Sequence, residues 1–345
     1  MKIVQATILS TLAALILIVV PSGGPASGQT APDNSAAVLP EPVNVEKGTA
    51  IPYRVLLWTG KPDSVLERAL TELIVKQAFE EDGFYYRTSD SAADFADQAA
   101  SGLFNIFVVF EVDEPPVNLV ALRDRVSQGA GIVIIGPEEQ SRLVAGSFGF
   151  RFLEGSPRNG RSSLVFSGEA GLDLGGSVPV SGSLLLPQKP GSSPVAVYDD
   201  IGKPAVLADA AGSGRAIVMP FSIIRSAREA GITSAYSLLL RAAVRSAAQE
   251  APEHGRVLGE ELTVTSSVDH LRTQLLVTLP QGARMLGVSP GGTLKDNTIL
   301  FELTAEQFPQ KLQYLYELPG GGSSRPAVEL FYESDGKLVS GGEVE

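Results

Sequence analysis

Ile106-Phe107-Val108-Val109-Phe110 and Gly131-Ile132-Val133-Ile134-Ile135-Gly136-Pro137 are the stretches on which the reading of the fold turns. Each is an unbroken apolar run of strand length, the pattern of a strand covered on both faces. Between them, Asn118 to Gln128 sets Leu119, Leu122 and Val126 on one side and is followed by Gly129, as an amphipathic helix would be. Upstream, Val55-Leu56-Leu57-Trp58 is a further short strand, and Ser64-Val65-Leu66-Glu67 is a capping box that starts a helix. Leu66, Leu70, Leu73, Ile74 and Phe79 continue that helix to Gly83, after which Phe84-Tyr85-Tyr86 begins a strand. Ser91-x-x-Asp94 opens a short helix that Gly102 closes. Strands alternating with helices over residues 53–136 predict right-handed crossovers and an α/β fold with a doubly wound, flavodoxin-like, mostly parallel sheet.

Farther along, a short helix is expected near Glu138–Ala145, and residues 150–220 turn rich in Gly and Pro. Strands are expected there at Ser163–Phe166, Ser183–Leu186, Val195–Tyr198 and Ala205–Ala208, with the sheet gaining antiparallel members. Ala211-Gly212-Ser213-Gly214-Arg215 reads as a hairpin turn leading into Ala216-Ile217-Val218-Met219. It is not a phosphate loop, which would lead into a helix N-terminus rather than a strand. A helix from about Ser234 to Ala248 closes this α/β segment, residues 53–250. From residue 256 to 345 the apolar period becomes two, as in Leu275, Val277, Leu279 and in Leu312, Tyr314, Tyr316, Leu318, with Gly- and Pro-rich turns between. This predicts an all-β sandwich.

At the other end, one basic residue (Lys2), an apolar run from Ile8 to Val20 and a small-residue stretch ending Ala26-Ser27-Gly28 have the form of a secretory signal over residues 1–28. The run falls short of the ~20 residues that cross a bilayer as a helix, with an uncleaved anchor as the alternative. No later segment is long and apolar enough to span. Residues 29–52 read as an extended linker.

The 345 residues carry 27 Lys+Arg against 39 Asp+Glu, a net charge of −12 that becomes −13 if residues 1–28 are removed. Such a charge opposes binding to nucleic acid or anionic lipid. The absence of Cys removes thiolate nucleophiles, disulfides and Cys-ligated metals together. His254 and His270, the two histidines, stand in a hinge and in a turn between strands. No metal or other cofactor is implied.

Residues 53–250 resemble the class I glutamine amidotransferase-like superfamily, especially its trehalose-utilisation-like and envelope-protein branches. The likeness rests on the strand order, on Gly-Ile-Val-Ile-Ile-Gly at 131–136 and on Gly212-Ser213-Gly214-Arg215-Ala216-Ile217-Val218-Met219-Pro220-Phe221. Active members carry a Cys on a strained elbow and a His after a late strand. This chain has Gly136-Pro137-Glu138-Glu139 at the first place and Phe221-Ser222-Ile223 at the second, so the resemblance implies a degenerate member without glutaminase chemistry and with no catalytic residue carried over. Residues 256–345 resemble the immunoglobulin-like domains of bacterial surface proteins, through Leu275-Leu276-Val277-Thr278-Leu279-Pro280-Gln281-Gly282-Ala283 and Val288-Ser289-Pro290-Gly291-Gly292. Modules of that kind act as spacers or binding surfaces.

Ligands of open α/β sheets bind outside the carboxyl ends of the strands. That rule selects Trp58, Lys61, Glu111, Glu138 and Ser222 as a candidate ligand-binding rim. Glu111, Asp113 and Glu114 are either cation- or hydroxyl-binding groups or a solvated loop ahead of Pro115-Pro116, and Asp199-Asp200 carry the same two readings. Ala145-Gly146-Ser147-Phe148-Gly149 follows a helix and therefore reads as a helix end rather than a nucleophile elbow. Two functions follow. One is an exported, non-catalytic envelope protein of the periplasm or cell surface, whose partner is an envelope protein or a glycan. The other is a carbohydrate-active or ligand-processing enzyme using the acidic rim. A surface-appendage component is a third. They part on whether Glu111, Glu138 and Ser222 share one cleft.

Overall fold

The structure is a computed structural model that describes residues 43–60, 64–80, 83–154, 160–167, 174, 176–248, 257–266, 272–289, 291–303, 309–318, 325–334 and 337–344. The signal-like segment, Lys61, His254 and His270 lie outside the described residues.

Nine strands form one sheet in the order β3 (Phe84–Ser89), β2 (Tyr53–Trp58), β4 (Ile106–Phe110), β5 (Gly131–Ile135), β12 (Gly214–Met219), β11 (Lys203–Ala211), β10 (Ser193–Tyr198), β7 (Arg161–Phe166), β8 (Val178–Ser181). Every residue of β4 and β5 is buried, because helices cover the sheet there on both faces. One core lies beneath α1 (Val65–Phe79), α5 (Ile223–Ala230) and α6 (Ser234–Ala247), and the other beneath α2 (Ala92–Ala100), α3 (Leu119–Ser127) and α4 (Glu139–Ser147). Caps start these helices where the sequence placed them: Ser64 Oγ accepts from Glu67 N at 3.1 Å and Ser91 Oγ from Asp94 N at 3.2 Å. Ser147 ends α4, which makes Ala145–Gly149 a helix terminus. A small separate ladder joins β6 (Arg151–Glu154) to β9 (Leu185–Gln188).

The expectation of a doubly wound, flavodoxin-like, mostly parallel sheet is not met. The pairs β2–β3, β2–β4, β4–β5 and β5–β12 are parallel, but β12–β11, β11–β10, β10–β7 and β7–β8 are antiparallel, so the sheet is mixed in equal measure. Among the described residues twenty strands stand against six helices. The cause is connection length. Only Gly212 and Ser213 lie between β11 and β12, and a turn that short joins antiparallel neighbours, whereas a parallel pair needs a crossover.

The C-terminal part is two antiparallel sheets sharing one core. The first has the order β1 (Val43–Ala50), β13 (Val257–Ser266), β18 (Gln310–Glu317), β15 (Arg284–Val288). The second runs β16 (Gly292–Lys295), β17 (Thr298–Leu303), β14 (Thr273–Thr278), β19 (Ala327–Ser334), β20 (Lys337–Glu343). Leu262, Val264, Tyr314, Leu275, Val277 and Phe301 meet between them. This is not the contiguous immunoglobulin-like unit expected over 256–345, since its edge strand β1 comes from the segment read as linker. In residues 43–50 the apolar alternation is limited to Val43 and Val45, too short to announce a strand; these two side chains pack on the shared core, and the backbone pairs with β13 from Val43 opposite Ser266 to Ala50 opposite Glu260.

Gln313 fastens the two parts together. Its Nε2 donates to Phe84 O at 2.6 Å and to Glu261 Oε2 at 2.8 Å, while Ile51 N donates to Gly259 O at 2.9 Å. Glu260, on the neighbouring position of β13, accepts from Tyr314 at 2.7 Å and Tyr316 at 3.3 Å, which together with burial pushes both phenols well above the ordinary tyrosine range.

Candidate functional site

At the carboxyl end of β4 the chain turns through Glu111 with φ +49°, a left-handed conformation that a non-glycine residue adopts at a cost. Two bonds hold it: Glu111 N donates to Ile135 O at 2.9 Å, and Val112 N donates to Ser141 Oγ at 3.2 Å. The turn directs the Glu111 carboxyl to the start of α5. There Oε2 accepts from Ser222 Oγ at 2.7 Å and Oε1 from Ile224 N at 3.0 Å. Ser222 is also the N-cap of α5, its Oγ accepting from Arg225 N at 3.0 Å. The carboxylate therefore completes a helix N-terminus whose dipole favours negative charge. Burial outweighs those bonds and raises the Glu111 pKa to about 7.

Glu138, between β5 and α4, lies over Gly136. A Cβ on Gly136 would fall 2.0 Å from Glu138 Oε2 and 3.0 Å from Glu111 Cα, and the φ of +114° is itself one that suits glycine. Glu138 Oε2 is buried and has no hydrogen-bond partner among the described residues. Burial first, and then the neighbouring Glu111 and Asp113, push its pKa up to about 8. Its own backbone N–H and, more weakly, Arg142 act in the opposite direction.

Glu111, Glu138 and Ser222 all line one cleft of about 280 Å³. Asp113 shares their wall, the hydroxyls of Thr59, Thr71 and Ser183 add polar edges, and Arg225 and Arg228 lie across from them. The arginines are already engaged: Arg225 Nε is 2.9 Å from Glu229 Oε1, and an Arg228 terminal nitrogen is 3.6 Å from Glu67 Oε1. The cleft thus presents a carboxyl pair in which one member is saturated with hydrogen bonds and the other is not. The volume suits a ligand of monosaccharide size. Among the described residues no three His, Asp or Glu side chains are arranged to hold a metal ion.

Of the two other rim residues, Lys61 lies outside the described residues and Trp58 does not reach this cleft. Trp58 is a core residue, 1% exposed, with its ring stacked on Phe95 at 5.5 Å. Alternation along β2 places Trp58 with Leu56 on the face covered by α2, and the next residue, Thr59, is the one that reaches the cleft. Phe221 is buried in the core beneath α5 and does not fill the rim. The reading of Glu111 as part of a solvated loop is replaced by a bonded, half-buried group, and Glu114 accepts from Ala92 N at 3.0 Å at the start of α2. Asp200 accepts from Ser162 in the turn between β10 and β11. Arg225 and Arg228 were not anticipated, because α5 has no apolar run long enough to announce it.

Ser222→Ala removes a helix cap and one of two donors to Glu111. It is expected to cost about 2 kcal/mol, read as a lower midpoint in urea unfolding.

No protein-family model matches the chain, and no curated protein matches it. Solved structures that resemble parts of it include the exo-β-1,4-mannosidase Op5Man5 of Opitutaceae bacterium strain TAV5, with 14% identity over 55% of this chain and 35% of that one, TM-score 0.40. A β-galactosidase of Bacillus circulans sp. alkalophilus has 11% identity over 77% of this chain and 41% of that one, TM-score 0.40. A ThuA-like protein of Bacteroides uniformis has 13% identity over 60% of this chain and 95% of that one, TM-score 0.42. The match spans well under two thirds of either glycosidase.

Proposed function

We propose that this is an exported, non-catalytic protein of the bacterial envelope that binds an envelope protein or glycan, with the acidic cleft as its ligand-binding site and a degenerate amidotransferase-like module as its scaffold. The observation that carries this reading is the commitment of Glu111. Both of its oxygens are occupied by Ser222 and the α5 backbone, so the carboxyl anchors a helix and shapes the cleft wall. The positions that carry Cys and His in active amidotransferases hold Gly136-Pro137-Glu138 and Phe221-Ser222. The signal-like residues 1–28 support export, and no helix among the described residues is long and apolar enough to cross a membrane. A neutral Glu138 carboxyl beside several hydroxyls can donate to and accept from a polyhydroxylated ligand.

Two observations favour the enzyme reading. Glu111, Glu138 and Ser222 do share one cleft, the condition that reading requires. In that cleft Glu138 Oε2 has no partner among the described residues, and a carboxyl protonated at neutral pH is what a general acid requires.

The test uses residues 29–345 beside the same chain carrying Glu111→Ala, Glu138→Ala and Ser222→Ala. The expected result is saturable binding of purified cell-wall glycan fragments or of an envelope protein by the first chain, weakened at least tenfold in the second, with no release of aryl alcohol from aryl glycosides. Turnover that Glu138→Gln abolishes overturns the non-catalytic reading, and equal binding by both chains removes the cleft from it.

A further inference from the structure

The amino ends of the same strands enclose a second cavity, of about 230 Å³, with an opposite chemistry. Arg54, in β2, is only 9% exposed. Its Nε donates to Leu103 O at 2.8 Å, and its terminal nitrogens meet no acceptor among the described residues. Arg125, on α3, reaches Phe104 O at 3.0 Å through one terminal nitrogen, while its Nε is buried with no partner. Both side chains line the cavity together with Asn105, Gln128, Gly129 and Val257, and no carboxylate does so among the described residues.

This arrangement is costly as it stands. Arg54 is buried and Arg125 half-buried beside it, the two like charges repel, and a buried cation is ordinarily paired. The chain has 39 acidic residues with which to neutralise 27 basic ones, yet neither guanidinium forms an ion pair among the described residues. Burial, and for Arg54 also the charge of Arg125, lowers both from the ordinary arginine range, Arg54 to about 10, so both remain cationic at neutral pH. The wall between them is rigid: Asn105 accepts from Arg54 N at 2.9 Å and donates to Pro52 O at 2.9 Å. Guanidinium groups match oxyanions through paired N–H donors, and this cavity leaves such donors free.

We propose that the Arg54–Arg125 cavity is an oxyanion-binding site, taking a small ligand or ligand portion that carries a phosphoryl, sulfate or carboxylate group. It is independent of the acidic cleft and of any activity there.

The experiment is thermal unfolding of the purified protein, followed by the fluorescence of its one tryptophan, in inorganic phosphate, inorganic sulfate or acetate. Each is compared with chloride at equal ionic strength, since sulfate and phosphate stabilise proteins generally. At a concentration ~100 times Kd, the anion that fits should raise Tm by about 4 °C beyond chloride. Arg125→Gln removes one unpaired cation, so it should unfold in chloride at the parent temperature or higher, with its anion response lost and phosphate or sulfate affinity by calorimetry down at least tenfold. Arg54→Gln should behave alike. Should that buried substitution fail to fold, Arg125→Gln carries the test alone. A response to acetate alone assigns a carboxylate ligand, and one to phosphate or sulfate assigns a tetrahedral group. An undiminished response in Arg125→Gln, or none beyond chloride for all three anions, overturns the proposal.

Discussion

Raising the pH from 5 to 8 is expected to destabilise the protein by on the order of 3 kcal/mol, with Glu138→Gln removing part of that slope and Glu111, raised by its own burial, keeping the rest. Glu111 and Glu138 both titrate above the ordinary carboxyl value, at about 7 and about 8. The native state therefore holds protons that the unfolded chain releases above about 4.5. Their stabilising contribution is complete below that pH and is lost as pH rises through the two folded values. The figure lies well below the sum of the two shifts at about 1.4 kcal/mol per pH unit, because both groups are partly exposed and, repelling each other, do not titrate independently. An amide at position 138 stays neutral at every pH, so Glu138→Gln should be about 2 kcal/mol more stable than the parent at pH 8 and no more stable at pH 5. The difference between variant and parent isolates the carboxyl from the rest of the chain. Trp58, the one tryptophan, reports the transition from inside the core. A flat difference between pH 5 and 8 would mean that the cleft solvates Glu138. Glu111→Gln is the wrong control, since its amide would present N–H to one of the two donors that Glu111 accepts.

Gly214→Ala is expected to cost at least ~3 kcal/mol, as a single added methyl group. Its Cβ would fall 2.1 Å from Ala130 O and 2.2 Å from Val126 O. Both atoms are backbone, so no rotamer relieves the overlap, and either the β11–β12 hairpin or the end of α3 must move. The appropriate comparison is Gly102→Ala, where φ is +79° but nothing lies within 4 Å of the new carbon. That substitution carries only the left-handed strain of about 1 kcal/mol. Urea midpoints of the two variants separate overlap from backbone strain, and equal losses would show that the hairpin yields freely. Because the end of α3 bears Arg125 and Gln128, a Gly214→Ala protein that still folds should also bind oxyanions less well.

Glu111, Glu138 and Ser222 were legible as a group because continuous apolar strands announce themselves and parallel strands carry their following loops to one rim. Their chemistry was not legible. Nothing local to Glu111 tells that its turn is left-handed or that its partners stand at Ser222 and Ile224, more than a hundred positions away. Trp58 looked like a rim residue because it ends a strand, and only the pleat of β2 against α2 sends its ring into the core. Arg54 and Arg125 each look like ordinary surface cations in sequence.

Local sequence determined the elements that rest on short-range physics: the caps at Ser64 and Ser91, the buried runs of β4 and β5, and the tight turn at Gly212-Ser213. Steric limits on the backbone and the period of apolar side chains act over a few residues, so a few residues suffice to read them. Tertiary structure alone decided that the sheet is mixed, that Val43–Ala50 joins a sheet begun more than two hundred residues later, and that two carboxyls and two guanidiniums are drawn partly or wholly out of water around separate cavities. Strand partnership and desolvation are set by what the folded chain brings alongside a group, and no window of neighbouring residues contains that information.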